Sequence, residues 1–203
     1  MATLTQRNFQ AQIEQREALL AKSLTEAQKV ARHKCFVCYH HNDQTEVETF
    51  LDNYEAAFIP RVLGVSDEDE FIESTDTDYI MDQIREKYLT DSTVTIVLIG
   101  RCTWARRYVD WEVYSTLRND KNNKRSGLMA ITLPSVADYK GRQLPLRVAD
   151  NLDGDKGYAR WWKYPSSVSE VQNWIDAAFT ARTDRANLIN NSRARKINNS
   201  PCP

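Results

Sequence analysis

No apolar run in this chain approaches the roughly 20 consecutive residues that cross a bilayer, and the N-terminus carries Asn8, Gln10 and Glu14 where a secretory leader needs its greasy stretch. Those two absences predict a cytoplasmic protein with no membrane partner. Neither sign of charge is in excess: 27 lysines and arginines stand against 28 acids, so no long-range field draws the chain toward nucleic acid or an anionic surface. Glycine-rich phosphate cradles are missing too, since neither G-x-x-x-x-G-K-[ST] nor G-x-G-x-x-G occurs. Without G-x-S-x-G there is no nucleophile elbow for a Ser-His-Asp hydrolase. Cysteine is scarce, at four residues. Cys35-x-x-Cys38 with His40 and His41 has the residue types of a zinc site. However, Lys34 to Tyr39 has the look of a buried strand, on which positions three apart face opposite sides. The two thiols are therefore expected as small core fillers.

What is present describes one α/β domain with extensions. A chain of 203 residues with 41% hydrophobic content is long enough for one real core. Within residues 1–33, Phe9, Ile13, Leu20, Leu24 and Ala27 recur at helical spacing and predict an N-terminal amphipathic helix. Its apolar stripe either covers the body of the chain or pairs with a second copy. The core domain, 34–182, is expected to open with a strand near 34–39, a polar turn His40 to Asp43, and a helix from Glu46 to Tyr54. Phe58 to Leu63 suits a short strand, followed by an acidic loop. Asp76 to Tyr88 suits a helix whose first-turn aspartates favour its dipole. Thr93 to Ile99 is almost unbroken apolar and β-branched, as a central parallel strand must be. A helix over 104–118, a strand over Gly127 to Leu133 stopped by Pro134, and a last helix opened by Ser166 and Ser167 complete the pattern. Strands alternating with helices predict a doubly wound parallel sheet of the flavodoxin-like kind. Residues 183–203, rich in asparagine and arginine without apolar periodicity, read as a flexible tail.

One residue breaks the pattern. At about 100° per residue, Glu112 projects within the arc of Ala105, Tyr108, Val109, Val113 and Thr116, the side its helix turns toward the sheet. A carboxylate there is costly unless it has a partner or a task. Two readings stand: a stem lying on the apolar face with its head in water or paired with Arg106 or Arg107, or a catalytic acid. Ligands bind open parallel sheets beyond the carboxyl ends of the strands. One such end offers Tyr39, His40, His41 and Asp43, and another offers Arg101 and Thr103 ahead of Glu112. If the two strands are neighbours, these groups converge. Each also has an ordinary reading: loop polarity for His40 and His41, a helix N-cap for Asp43, core aromatics for Tyr108 and Trp111.

Three stretches together resemble a known family. They are Phe36-Val37-Cys38-Tyr39-His40-His41-Asn42-Asp43, Ser92 through Gly100, and above all Arg106-Arg107-Tyr108-Val109-Asp110-Trp111-Glu112-Val113. They are similar to the TIR-like family, nearest to the ThsB proteins of bacterial Thoeris anti-phage defence, over residues 34–133. The resemblance implies a flavodoxin-like TIR fold that cleaves NAD at the nicotinamide–ribose bond, with Glu112 as catalytic residue, no cofactor and no metal. Tyr39, His40, Asp43, Arg101, Tyr108 and Trp111 are the implied substrate contacts, the aromatics stacking on a base and His40 or Arg101 meeting phosphate. The implied partners are a phage-derived trigger, further copies of the chain, and a separate effector reached by a diffusible cyclic or conjugated ADP-ribose signal. Other TIR domains carry Trp-Cys-x-x-Glu where this chain has Tyr108 to Glu112, and the loop motif of eukaryotic TIR domains is missing from 58–75. The competing class is a TIR-type interaction module without catalysis.

Overall fold

The computed structural model of the protein describes residues 32–62, 91–119 and 124–202. The expected N-terminal helix, the acidic loop and the helix over 76–88 lie outside the described residues.

Five strands form one parallel sheet: β1 (Lys34–Cys38), β2 (Ile59–Val62), β3 (Val94–Ile99), β4 (Gly127–Thr132) and β5 (Arg160–Trp162). Their order across the sheet is β2-β1-β3-β4-β5, every neighbouring pair parallel. This is the flavodoxin-like order, and it places the topological switch point between β1 and β3. Central β3 is buried at all six positions and β4 likewise, as strands covered on both faces must be. Edge strand β5 was not expected from sequence, because three residues are too few to show a period.

Four α-helices are described: α1 (Gln44–Tyr54), α2 (Arg107–Thr116), the single turn α3 (Leu146–Ala149) and α4 (Val168–Asp184). Side chains alternate across the sheet and sort into two cores. On one face Cys35, Val37, Ile96, Leu98, Met129 and Ile131 pack under Val47 and Phe50 of α1 and Val171 and Ile175 of α4. On the other, Phe36, Cys38, Val97, Ile99, Leu128 and Ala130 pack under Val109, Trp111 and Val113 of α2 and Val148 of α3. Cys35 and Cys38 thus sit in different cores, each filling space. The α4 start follows its sequence: the Ser167 hydroxyl accepts from the Glu170 amide, while Glu170 accepts from the Ser166 amide at 2.7 Å. No helix among the described residues is long and apolar enough to cross a membrane.

The C-terminal segment corrects the expectation of a loose tail. Helix α4 runs to Asp184, a 3-10 turn follows at Ala186–Leu188, and the remaining residues form a strap laid along α2 and α3. Buried Arg147 pairs with Asp110 of α2 through Nε (2.9 Å) and Nη2 (3.2 Å), and donates to Asn191 Oδ1 and the Arg193 and Ala194 carbonyls. Asn151 holds the strap at Asn190 from both sides of its amide. The Lys196 amide donates to Asp110 Oδ2 (2.8 Å), the Asn199 side chain accepts from the Arg107 amide (2.9 Å), and the Ser200 amide donates to the Ala105 carbonyl. Cys202 closes on Cys102 as a disulfide. The asparagines and arginines that signal solvation in isolation find partners on the domain: Asn191 at the Tyr114 carbonyl, Asn199 at the Arg107 amide and Arg193 at the Asp150 carboxylate.

Candidate active site

Adjacency of β1 and β3 brings their two carboxyl ends together. At the end of β3, Gly100 has no side chain, and a Cβ there would coincide with the Asp43 carboxylate. The Thr103 hydroxyl accepts from the Gly100 amide (2.9 Å) and faces both Asp43 Oδ2 (3.4 Å) and the Leu98 carbonyl (3.3 Å). Asp43 therefore stands at the N-cap position of α1 without capping it; its carboxylate turns to β3 instead. Burial and the nearby Glu46 charge push its pKa up to about 6, against a smaller lowering by the Thr103 hydrogen bond.

Glu112 lies in the second turn of α2 and is 8% exposed. It forms no ion pair with Arg106 or Arg107, so a stem on the apolar face with a head that just touches the surface is what is left of the ordinary reading, beside the catalytic one. Burial pushes its pKa up to about 7, opposed only by a hydrogen bond from the Cys38 thiol. That thiol is itself raised by burial and then by the carboxylate. Cys38 is the last residue of β1 and shares the α2 face with Phe36. This partnership was missed in the sequence, though strand alternation from Phe36 would have found it.

Tyr39 follows Cys38, is half-buried, and its hydroxyl is held above the ordinary value by burial and by the Glu48 and Glu112 charges. His40 is buried and its ring lies 4.4 Å from that of exposed His41. Arg101 is exposed at the same edge, its guanidinium 5.4 Å from the Tyr139 ring. Glu112, Tyr39, His40, Asp43 and Arg101 thus stem from the two adjoining strand ends and the helix that follows β3, with Cys38 and Thr103 added.

Two of the expected contacts are engaged by the strap or within α2. The Trp111 indole N–H donates to the Lys196 carbonyl at 2.8 Å, which commits it to the strap. Tyr108 sets its ring edge-on to Trp111 at 5.2 Å and its hydroxyl accepts from Arg107. On a helix the residue next to Glu112 in sequence points about 100° away from it, and for Trp111 that direction is occupied by the strap. A hollow of about 610 Å³ opens there as well, lined by Trp104, Asp110, Leu146, Asp150, Arg193 and Lys196 among others, and none of the strand-end residues lines it.

This arrangement holds one buried acid with a weak thiol donor as neighbour, at the switch point of a doubly wound sheet. It can stabilise a developing positive charge without first giving up a strong partner. Two comparisons bear on the lineage. No curated protein matches the chain. Residues 36–138, which hold the end of β1, all of β2 to β4 and every strand-end residue named above, match the family described as Thoeris protein ThsB, TIR-like domain, and the chain belongs to that family.

Proposed function

We propose that the protein cleaves NAD at the bond between nicotinamide and ribose, with Glu112 as the catalytic carboxylate, and that the ADP-ribosyl part leaves as a cyclic or conjugated signal. The observation that carries this reading is the burial of Glu112 with no counter-cation among the described residues, at the carboxyl ends of β1 and β3. Breaking the C1′–N bond sends its electron pair to the pyridinium nitrogen, which leaves neutral, so the leaving group needs no acid. The ribose carbon becomes oxocarbenium-like, and one carboxylate suffices to stabilise it, where ordinary glycosidases need two. A hydroxyl or ring nitrogen of the acceptor then closes on C1′ and loses its proton. In this reading Tyr39 stacks on a base, and Arg101 or His40 meets the diphosphate. Asp43, gripped by Thr103, holds the β3 loop in place and offers a second acceptor for a sugar hydroxyl.

In the setting of Thoeris defence, a phage component switches the enzyme on, and the product activates a separate effector protein. The test is mass spectrometry of NAD and its products in phage-infected cells that express the chain or its Glu112→Gln variant. Glutamine keeps the shape and removes the charge, so turnover is expected to fall about a hundredfold or more. Undiminished turnover in the variant would sink the enzymatic reading and leave an interaction module.

A further inference from the structure

Helix α2 cannot cap itself. Its N-cap residue is Arg106, whose side chain makes no capping hydrogen bond, and the missing acceptor for the Arg107 amide is supplied 92 residues away by the Asn199 side chain. Next to that contact, the Ser200 amide holds the Ala105 carbonyl. Two residues further on, Cys202 is bonded to Cys102, in the loop that leaves β3 and leads to the Glu112 helix. The strap therefore has two differently built halves. Asn190 to Lys196 is fixed by buried Arg147, Asn151 and Asp110, whereas Asn199 to Cys202 is held by the Asn199 side chain on the Arg107 amide, the Ser200 amide on the Ala105 carbonyl and one covalent bond.

We infer that Cys102–Cys202 is a thiol–disulfide exchange site whose state latches or releases the end of the strap, and with it the cap of the helix carrying Glu112. Both sulfurs belong to half-buried residues, within reach of a small thiol, while Cys35 and Cys38 are sealed in the two cores. Burial also holds those two as protonated thiols, which are poor nucleophiles. Exchange is thus confined to one pair. The thiolate of a low-molecular-weight dithiol attacks Cys202 Sγ, the Sγ–Sγ bond breaks, and Cys102 leaves as a thiolate. The second thiol of the reagent displaces Cys202 from the mixed disulfide, so the reagent is oxidised by two electrons and both cysteines end as thiols with its two protons. Closure reverses the sequence at high effective concentration, because the inner half of the strap keeps Cys202 beside its partner.

The test compares amide hydrogen exchange in the full chain, oxidised and after reduction with dithiothreitol. Protection at Arg107 and Ser200 is expected to fall about tenfold on reduction, the scale of a lost N-cap, while the Lys196 amide on Asp110 and the Asn190 amide on Asn151 keep theirs. Cys202→Ser should show the reduced pattern at once and ignore dithiothreitol. Alkylation after unfolding should count two free thiols in the oxidised protein and four in the reduced one. Equal exchange at Arg107 and Ser200 in both states, four thiols under oxidising conditions, or loss of protection extending to Lys196 and Asn190 would each overturn the latch. None of these readouts depends on NAD cleavage, so the latch and the proposed activity stand or fall separately.

Discussion

Two carboxylates on α2, two residues apart and equally hidden, have opposite surroundings. Asp110 is 7% exposed and accepts two hydrogen bonds from the Arg147 guanidinium and a third from the Lys196 amide. Glu112 is 8% exposed and has a thiol. The first is a fully satisfied buried charge, tying strap, α3 and α2 into one unit; the second is a buried carboxyl that no cation among the described residues answers. Burial alone does not distinguish structure from chemistry. What distinguishes them is whether the fold has already answered the charge. A catalytic acid must be the unanswered one, because an interaction made in the resting state is lost before it can favour the transition state.

Removing the answer from Asp110 should have the largest effect. Arg147→Ala leaves a carboxylate buried beside a vacated guanidinium site and strips the strap carbonyls of their donors, so a loss of about 3–5 kcal/mol in stability is expected by chemical denaturation. Adding Asp110→Leu should recover much of it, since the pair as a whole is worth far less than one orphaned member. If Arg147→Ala costs under about 1 kcal/mol, the clamp is not what holds the strap, and the contrast drawn above collapses.

Glu112→Gln tests the other half in the opposite direction. The carboxyl titrates at about 7 when folded against an ordinary 4.5. Below about 4.5 both states are protonated and the shift has no effect on stability. As pH rises from there, the unfolded chain ionises first, and stability declines until the folded group also ionises near 7. The variant escapes that decline. It should be more stable than the parent by about 1–3 kcal/mol at pH 8, the amide's own burial cost being the reason for the lower figure. The gain should vanish near pH 4. Turnover should follow the same group: kcat/KM for NAD is expected to rise through pH about 7 and level off above it, as the carboxylate form accumulates. A variant that is less stable at pH 8 as well as inactive would mean that Glu112 is a structural acid.

Much of this contrast is local in the sequence, and part of it is not. The sheet shows in Val94 to Ile99 because a strand covered on both faces must be apolar throughout, and the misplaced Glu112 shows because helical period is a property of neighbours. That Tyr39, Asp43 and Arg101 stem from one edge of the sheet follows once β1 and β3 adjoin, which alternation of strands and helices makes the expected outcome. The strap left no such mark. Its partners lie tens of residues away, Arg147 to Asn191, Trp111 to Lys196, Cys102 to Cys202, and no period of 2 or 3.6 encodes a hydrogen bond between an asparagine and a distant backbone. The tie of Trp111 to the strap was hidden for the same reason: nothing near an aromatic in sequence names the distant chain that covers it.

The smallest expected effect settles that residue. Trp111→Phe keeps an aromatic ring in the α2 core but deletes the indole N–H that donates to the Lys196 carbonyl. One buried hydrogen bond and a reduction in ring volume should cost about 1–2 kcal/mol, visible as an earlier denaturation midpoint with an unchanged slope. Because the indole is engaged by the strap and its neighbour Tyr108 leans on it, NAD turnover should stay within about threefold of the parent, a change of under ~1 kcal/mol in the barrier. A loss of tenfold or more with stability preserved would put Trp111 back at the substrate. The strap would then have to part from α2 for turnover, with Asp110 and Arg147 as its hinge and no longer its clamp.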